Sequence, residues 1–236
     1  MSREAILISR DAIDPFVYRT ARGPIVIRRF VNGQGELMAG EMEILPGSGL
    51  APHRHQPPEI YLPLTSNHPL PSITMNGKTQ PILAHVPVYI PSNVVHGIDV
   101  VLDCAVRFLY VFAVHNIEQD VVYDYELTAS STPMQPKATP TIHAFRVCED
   151  EYTIHCKQDV LLLSAAPSAL IVAGACVDAV WIPSGGTVSF ELPHDTTLLA
   201  MWAQPTAGPS REPPELIRKG FSRAFGSSLR GQSALD

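Results

Sequence analysis

Proline is unusually frequent in this chain and limits the secondary structure that it can form. The 236 residues include 22 prolines. Proline removes a backbone donor and clashes with the preceding turn of a helix, so long α-helices are disfavoured. Between the prolines lie short runs rich in Val, Ile and Leu, which are typical of strands joined by turns. The sequence therefore predicts an all-β protein.

Composition and charge exclude several classes of protein. Hydrophobic residues make up 45% of the chain and charged residues 17%, which is typical of a folded protein with a sizeable core. The net charge of −6 offers no basic surface for nucleic acid or anionic lipid. No apolar run reaches the ~18 residues of a membrane helix, and Arg10, Asp11 and Asp14 interrupt any signal-peptide core. We expect a cytoplasmic protein with no nucleic-acid or membrane partner.

Three histidines and one glutamate form the pattern with the clearest chemical meaning. His53 and His55 share one face of a strand, because successive side chains point to opposite faces. Glu59 keeps the same parity if the intervening prolines bend the chain without flipping it, and His96 begins an apolar stretch that could lie opposite. Three imidazoles and a carboxylate suit iron, manganese, nickel, copper or zinc. Because an exposed site would bind metal weakly, we expect this face to line the inside of a barrel or sandwich.

These residues lie in two motifs that resemble those of the cupin superfamily. The first motif is matched at Gly47, His53, His55 and Glu59. The second, Pro-x-Gly-x-x-His, is matched at its proline and at His96. The resemblance implies a cupin double-stranded β-barrel, or jelly roll, in which the three histidines and the glutamate bind one metal ion.

Three glycines that the cupin motifs lead one to expect are replaced. The three positions hold Ser66, His85 and Asn93. Asn93 stands at the turn of the second motif, and Asn tolerates a positive φ better than most residues. The ligand pattern is therefore kept although the turn glycines are not, and we expect the metal site to follow the cupin pattern more closely than the loops do.

Tyr61 has the same parity as Glu59 and is expected to face the same interior. The spacing His-x-His-x-x-x-Glu-x-Tyr, followed by a distant His, resembles cupin-type dimethylsulfoniopropionate lyases. That resemblance implies that Tyr61 is the base of a β-elimination. A tyrosine that only packs the barrel would have the same spacing, so both roles stay open. Since Glu59 could also leave the metal and act as a base, Glu59 and Tyr61 are the candidate catalytic residues.

Three functions are compatible with such a site. Four protein ligands on an octahedral metal leave two adjacent positions for substrate or oxygen. The favoured prediction is a mononuclear, non-haem Fe(II) dioxygenase-type oxidoreductase that acts on a small organic substrate, with manganese, nickel, copper or zinc as other possible metals. The first alternative is a metal-assisted lyase or isomerase that uses Tyr61 as base. The second is a non-catalytic cupin that binds a small molecule.

The strand pattern restarts in the second part of the chain and predicts two halves. The predicted segments are an N-terminal arm with the metal-binding barrel (1–126), a linker rich in Pro, Ser and Thr (127–141), a degenerate cupin-like half (142–205) and a tail (206–236). The second half contains Trp-Ile-Pro-Ser, which echoes Tyr-Ile-Pro-Ser in the first, but it has no His-x-His pair. A single barrel with an irregular extension is the alternative. The tail is predicted to contain a short helix over 213–225, and the cupin resemblance favours a homodimer.

Either face of one predicted strand, over 105–114, could line the interior of the barrel. The first face carries Phe108, Tyr110 and Phe112, and the second carries Arg107, Leu109 and Val111. Alternation separates these two sets of residues, but it leaves open which set lines the pocket.

Overall fold

The computed structural model describes residues 4–31, 35–64, 69–101, 103–114, 122–123, 136–165 and 169–219. These residues form β-strands and one three-residue 3-10 helix, Arg10–Ala12, with no α-helix among them. The strands of the first part are β1 (Ile6–Ile8), β2 (Phe16–Thr20), β3 (Gly23–Val31), β4 (Met38–Ile44), β5 (Leu50–Arg54), β6 (Glu59–Pro63), β7 (Ser72–Met75), β8 (Lys78–Pro81), β9 (Val88–Ile90), β10 (His96–Ile98), β11 (Val106–Phe112) and β12 (Val122–Tyr123). The second part contains β13 (Ala138–Val147), β14 (Asp150–His155), β15 (Val160–Ser164), β16 (Leu170–Val172), β17 (Ala175–Val177), β18 (Ala179–Ile182), β19 (Thr187–Leu192), β20 (Thr196–Pro205) and β21 (Glu215–Arg218). The all-β prediction is confirmed.

The strands form four antiparallel sheets, which enclose two separate cores. In the first half, the strand orders are β2-β3-β4-β11-β6-β9 and β12-β5-β10-β7-β8, around a cluster that includes Phe108 and Ile73. In the second half they are β1-β18-β15-β20-β13 and β17-β16-β19-β14-β21, around a cluster that includes Phe190 and Trp202. Two sheets packed face to face around one core are the architecture of a jelly roll. The predicted cupin barrel is therefore the observed fold.

A third cluster of buried side chains joins the two halves. It contains side chains from β4, β6 and β11 of the first half and from β13, β15, β18 and β20 of the second. On β11, Leu109 and Val111 point into this shared cluster, whereas Phe108, Tyr110 and Phe112 belong to the core of the first barrel. The aromatic face therefore lines the first barrel, because the opposite face is covered by the second half.

The C-terminal segment differs from its predicted structure. Residues 215–218 form β21, which pairs with β14, so the helix predicted over 213–225 is wrong for this part, and residues from 220 onward lie outside the described residues. Leu216 is buried in the second core. The edge of β14 offers backbone donors and acceptors that need partners, and pairing with it outweighs a weak helical periodicity. Among the described residues, no helix has the length and hydropathy that a membrane span requires.

Two other segments also differ from the predicted organisation. β13 begins at Ala138, so the last residues of the predicted linker belong to a strand, while 127–135 lie outside the described residues. The N-terminal strand β1 pairs with β18 of the second half. β2, by contrast, pairs with β3 of the first half. The N-terminal arm therefore joins both halves, a long-range pairing that no local pattern could predict.

Two of the positions where cupin glycines are replaced keep a glycine-like backbone. His85 and Asn93 both have a φ of 59°, in the left-handed region that glycine favours. The third position, Ser66, lies outside the described residues. At the two described positions, the turns keep their backbone conformation although the side chains have changed.

Candidate metal centre

The four predicted metal ligands lie together inside the first barrel. β5 carries His53, and antiparallel pairing places it directly opposite His96 at the start of β10. His55 follows the end of β5, and Glu59 begins β6. All four side chains are buried, since each residue exposes 6% of its surface or less.

The donor atoms of these residues converge on one point. Nitrogen atoms of His53, His55 and His96 lie within 4.8 Å of one another. Glu59 Oε2 lies 3.1 Å from His55 Nε2 and 3.5 Å from His96 Nε2. The structure thus brings together all four residues that the sequence singled out.

Each of the three imidazoles is oriented by a backbone carbonyl two residues away along the chain. The distance from Nδ1 to that carbonyl oxygen is 2.9 Å for His53, 2.6 Å for His55 and 2.9 Å for His96. A carbonyl only accepts, so Nδ1 carries the proton and Nε2 keeps its lone pair. Backbone partners of this kind are what orient metal-binding histidines. Since the buried Nε2 of His96 has no hydrogen-bond partner among the described residues, the donor set fits a divalent transition metal.

The surroundings of His53 and Glu59 shift their pKa values toward the protonation states that a metal requires. Burial, and then the neighbouring imidazoles of His96 and His55, lower the pKa of His53 to about 3. Burial alone would raise the pKa of Glu59, but the imidazoles of His55 and His96 beside its carboxylate hold this pKa below its ordinary value. A neutral imidazole and an ionised carboxylate are the forms that bind metal.

Tyr61 lies beside this centre, as its strand parity predicted. It exposes only 2% of its surface, and its ring centroid lies 6.1 Å from that of His96. Burial, followed by the charge and hydrogen bonding of Glu59, raises the pKa of Tyr61 well above its ordinary value. The phenol is therefore close to a carboxylate of the metal site and is protonated when no metal is bound.

A cavity of about 360 Å³ lies against the metal centre. Its lining includes the aromatic side chains Phe16, Tyr18, Tyr110 and Phe112. Phe16 and Tyr18 come from β2, in the segment that the sequence analysis assigned only to an N-terminal arm. The run of aromatic and β-branched residues at Phe16, Val17 and Tyr18 was the available signal for a strand. The cavity has the size and mainly apolar character of a small-molecule site.

Comparison with known proteins identifies one relative by sequence and several by structure. No family model matches the chain. The dimethylsulfoniopropionate lyase DddW of Ruegeria pomeroyi is 35% identical over 113 residues, which are 46% of this chain and 70% of DddW. Salicylate 1,2-dioxygenase of Pseudaminobacter salicylatoxidans superposes with a TM-score of 0.56 at 10% identity, covering 80% of this chain and 84% of that one. HutD of Pseudomonas fluorescens superposes with a TM-score of 0.55 at 10% identity, covering 85% and 100%.

The two kinds of similarity differ in what they show. At 10% identity, the solved structures share the fold with this chain. DddW is similar in sequence over more than two thirds of its own length. These relatives include enzymes, and the two histidine motifs occupy the first of two double-stranded barrels. The chain, a relative of DddW, therefore belongs to the cupin superfamily.

Proposed function

We propose that this protein is a metal-dependent cupin lyase that cleaves dimethylsulfoniopropionate or a close analogue by β-elimination. The observation that carries this proposal is the position of Tyr61, whose phenol lies beside Glu59 and faces the cavity. The sequence similarity to a dimethylsulfoniopropionate lyase supports the same reaction class.

In this proposal, His53, His55, Glu59 and His96 hold the metal. A divalent cation held there would supply Lewis-acid chemistry, which makes the C–H bond next to a carboxylate easier to deprotonate. The donor set suits iron, manganese, nickel, copper and zinc. Iron, which the sequence analysis favoured, stays a prediction.

Tyr61 acts in this reaction as the general base. As a phenolate, it removes a proton from the carbon next to the carboxylate. The electron pair of that C–H bond forms the C=C bond, and the bond from the β-carbon to sulfur breaks. The products are dimethyl sulfide and acrylate, and the proton stays on Tyr61 until water removes it. Because burial and Glu59 raise the pKa of Tyr61, we expect a phenolate only when a nearby cation opposes them.

The walls of the cavity suit a small organic cation. Aromatic faces attract a cationic group that has lost its water. Among the cavity's aromatic side chains, Phe112 lies nearest the metal centre in the contacts described, with 4.9 Å between its ring centroid and that of His55. A dimethylsulfonium group against the ring of Phe112 would have both apolar contact and electrostatic attraction.

Replacing Tyr61 with phenylalanine tests the proposed base. The metal-loaded wild type should release dimethyl sulfide from dimethylsulfoniopropionate equally under air and under argon, as measured by headspace gas chromatography. Tyr61→Phe should lose about 100-fold or more of this activity, which is what a general base contributes, while it keeps its metal. Tyr89→Phe is the matched control, because Tyr89 is partly buried against the cluster shared by the two halves and does not line the cavity.

Two results would count against the lyase proposal. Full activity in Tyr61→Phe would exclude this residue as the base. Absence of dimethyl sulfide from metal-loaded wild type would exclude the substrate.

An Fe(II) dioxygenase is the second candidate function. The structural similarity to salicylate 1,2-dioxygenase supports it, as does a ligand set that leaves metal positions open for oxygen. Assays under air and under argon distinguish the dioxygenase from the lyase. A dioxygenase would consume oxygen with Fe(II) and release no dimethyl sulfide. The enzymes among the relatives favour either reaction over a non-catalytic binding protein.

A further inference from the structure

A row of residues crosses the wall of the cavity beside Tyr61. The strand register pairs Tyr61 with Tyr110, Tyr110 with Gly40, and Gly40 with Arg29. Residues paired across antiparallel strands lie side by side on one face of the sheet. Tyr61, Tyr110 and Arg29 all line the cavity. The proposed base therefore has a second tyrosine as its neighbour, with an arginine beyond it.

Gly40 provides the space in which Tyr110 leans toward Arg29. A Cβ atom at residue 40 would lie 2.7 Å from the hydroxyl oxygen of Tyr110 and 2.9 Å from its Cζ. Any larger residue would thus collide with the phenol. Burial raises the pKa of Tyr110, and the charge and the N–H donors of Arg29 oppose this rise, so the guanidinium lies close to the hydroxyl. Arg29 also packs against Phe16, with 4.7 Å between its Cζ and the ring centroid.

The hydroxyl of Tyr110 is buried, and no group within the described part of the chain accepts its proton. The guanidinium of Arg29 beside it can only donate. An unpaired buried hydroxyl destabilises a fold, and phenylalanine would fill the same space without it. The residue is therefore poorly explained by packing alone. A hydroxyl whose proton lacks an acceptor among the described residues, on a side chain that lines a cavity, is placed to donate to a ligand.

We propose that Tyr110 and Arg29 form a subsite for the carboxylate of a small substrate. The phenol donates a hydrogen bond to a carboxylate oxygen, and the guanidinium supplies the positive charge that favours an anion. A carboxylate bound there leaves the adjacent carbon in front of Tyr61, the cross-strand neighbour of Tyr110. The role of Tyr61 in this arrangement rests on the proposed function, whereas the subsite depends only on the wall of the cavity.

Binding of two fragments tests the subsite without relying on catalysis. Propionate represents the carboxylate end of such a substrate, and trimethylsulfonium represents the cationic end. Calorimetric titration of metal-loaded protein should show that Tyr110→Phe weakens propionate binding by about tenfold or more, the usual effect of losing a hydrogen bond to a charged group. The affinity of Tyr110→Phe for trimethylsulfonium should stay within about twofold of the wild-type affinity. Loss of a contact would instead change the affinity by about tenfold. Arg29→Met should also weaken propionate binding, and Tyr89→Phe should not.

A melting curve separates a binding role of Tyr110 from a structural one. Because the hydroxyl proton has no acceptor among the described residues, Tyr110→Phe should melt at the same temperature as the wild type or at a higher one, with unchanged metal content. A lower melting temperature would show that the hydroxyl has a structural partner and would overturn the proposal. Equal propionate affinity in wild type and Tyr110→Phe, or no propionate binding by wild type, would also overturn it. If the lyase proposal alone is wrong, no dimethyl sulfide is released but the propionate result is unchanged.

Discussion

Each imidazole of the metal centre is oriented before any metal binds, because its Nδ1 atom donates to a backbone carbonyl. The Nε2 lone pairs of His53, His55 and His96 are therefore directed toward one another. Protonation of His53 would place a positive charge in a buried and crowded site, which is unfavourable. The orientation that favours metal thus makes the metal-free protein sensitive to acid.

The metal-free protein should lose stability as the pH falls below 6.5. His53 has a pKa of about 3 in the folded protein, against an ordinary value of 6.5. Between these values the unfolded chain binds a proton that the folded chain does not, so acid favours unfolding. For this one group, the free energy of unfolding should fall by about 2 kcal/mol between pH 7 and pH 5. Urea unfolding of chelator-treated protein at the two pH values measures this change in the free energy of unfolding.

Two histidine variants provide the comparison for this prediction. His53→Gln should show a smaller loss of stability between the two pH values, because the group that causes the loss is gone. His194→Gln should behave like the wild type, since His194 is exposed on the second half. The explanation is wrong if His53→Gln and wild type lose the same stability.

At the residue scale, alternation along strands predicted which side chains share the interior. It predicted that His53, His55, Glu59 and Tyr61 share the interior, and the structure buries all four, with Tyr61 beside the metal centre. The same reasoning could not identify Tyr110, because the inward face of β11 is decided by the second half of the molecule. The neighbours of Tyr110 likewise depend on strand register, which no local pattern encodes.

At the scale of elements, several turns place residues other than glycine in a left-handed conformation. Asn93 and His85 belong to residue types that tolerate positive φ comparatively well. Ala173 has a φ of 50° in the turn between β16 and β17, and alanine has no polar side chain to stabilise that conformation. This turn is therefore a site of local strain.

Replacing Ala173 with glycine should stabilise the protein. Relief of the left-handed strain should raise the free energy of unfolding by about 1 kcal/mol. Ala175→Gly is the control, because Ala175 is similarly exposed but lies in β17. Glycine in a strand should lower stability there by roughly 0.5–1 kcal/mol. Urea unfolding measures both variants, and equal destabilisation by the two would contradict the strained turn.

The strands that the sequence predicted best are those with local signals. The hairpin formed by β7 and β8 has an Asn-Gly turn in which both residues have positive φ, as expected for that dipeptide. β21 shows the opposite case. Its local periodicity suggested a helix, whereas its structure depends on an edge of β14 that lies far away in the sequence.

At the scale of the whole molecule, the two halves are joined by more than packing. Arg10 lies between them, since its backbone N–H donates to Asp178 at 2.7 Å and its Nε donates to Glu41 at 2.6 Å. Both carboxylates are buried, whereas a quarter of the Arg10 side chain is exposed, so this connection is partly desolvated. Together with β1 and the shared cluster, these contacts of Arg10 connect the two halves. The second half, which lacks a His-x-His pair, covers the outer face of the metal-binding barrel. The homodimer that the cupin resemblance favours stays a prediction.

The two halves should therefore unfold together. We expect one transition in differential scanning calorimetry, with a calorimetric enthalpy equal to the van't Hoff enthalpy, because neither half buries its outer sheet alone. Added metal should shift that whole transition upward, since a ligand that binds only the native state stabilises every part that unfolds with it. Two separate transitions, with only one sensitive to metal, would show that the halves are independent.

The metal content of untagged protein tests the central claim most directly. Plasma emission spectroscopy of wild type should find close to one transition-metal ion per chain after reconstitution, because four oriented donors converge on one buried point. His53→Ala, treated in the same way, should retain little or none. Equal metal in the two proteins, or no metal in wild type, would contradict the claim that these residues form a metal centre.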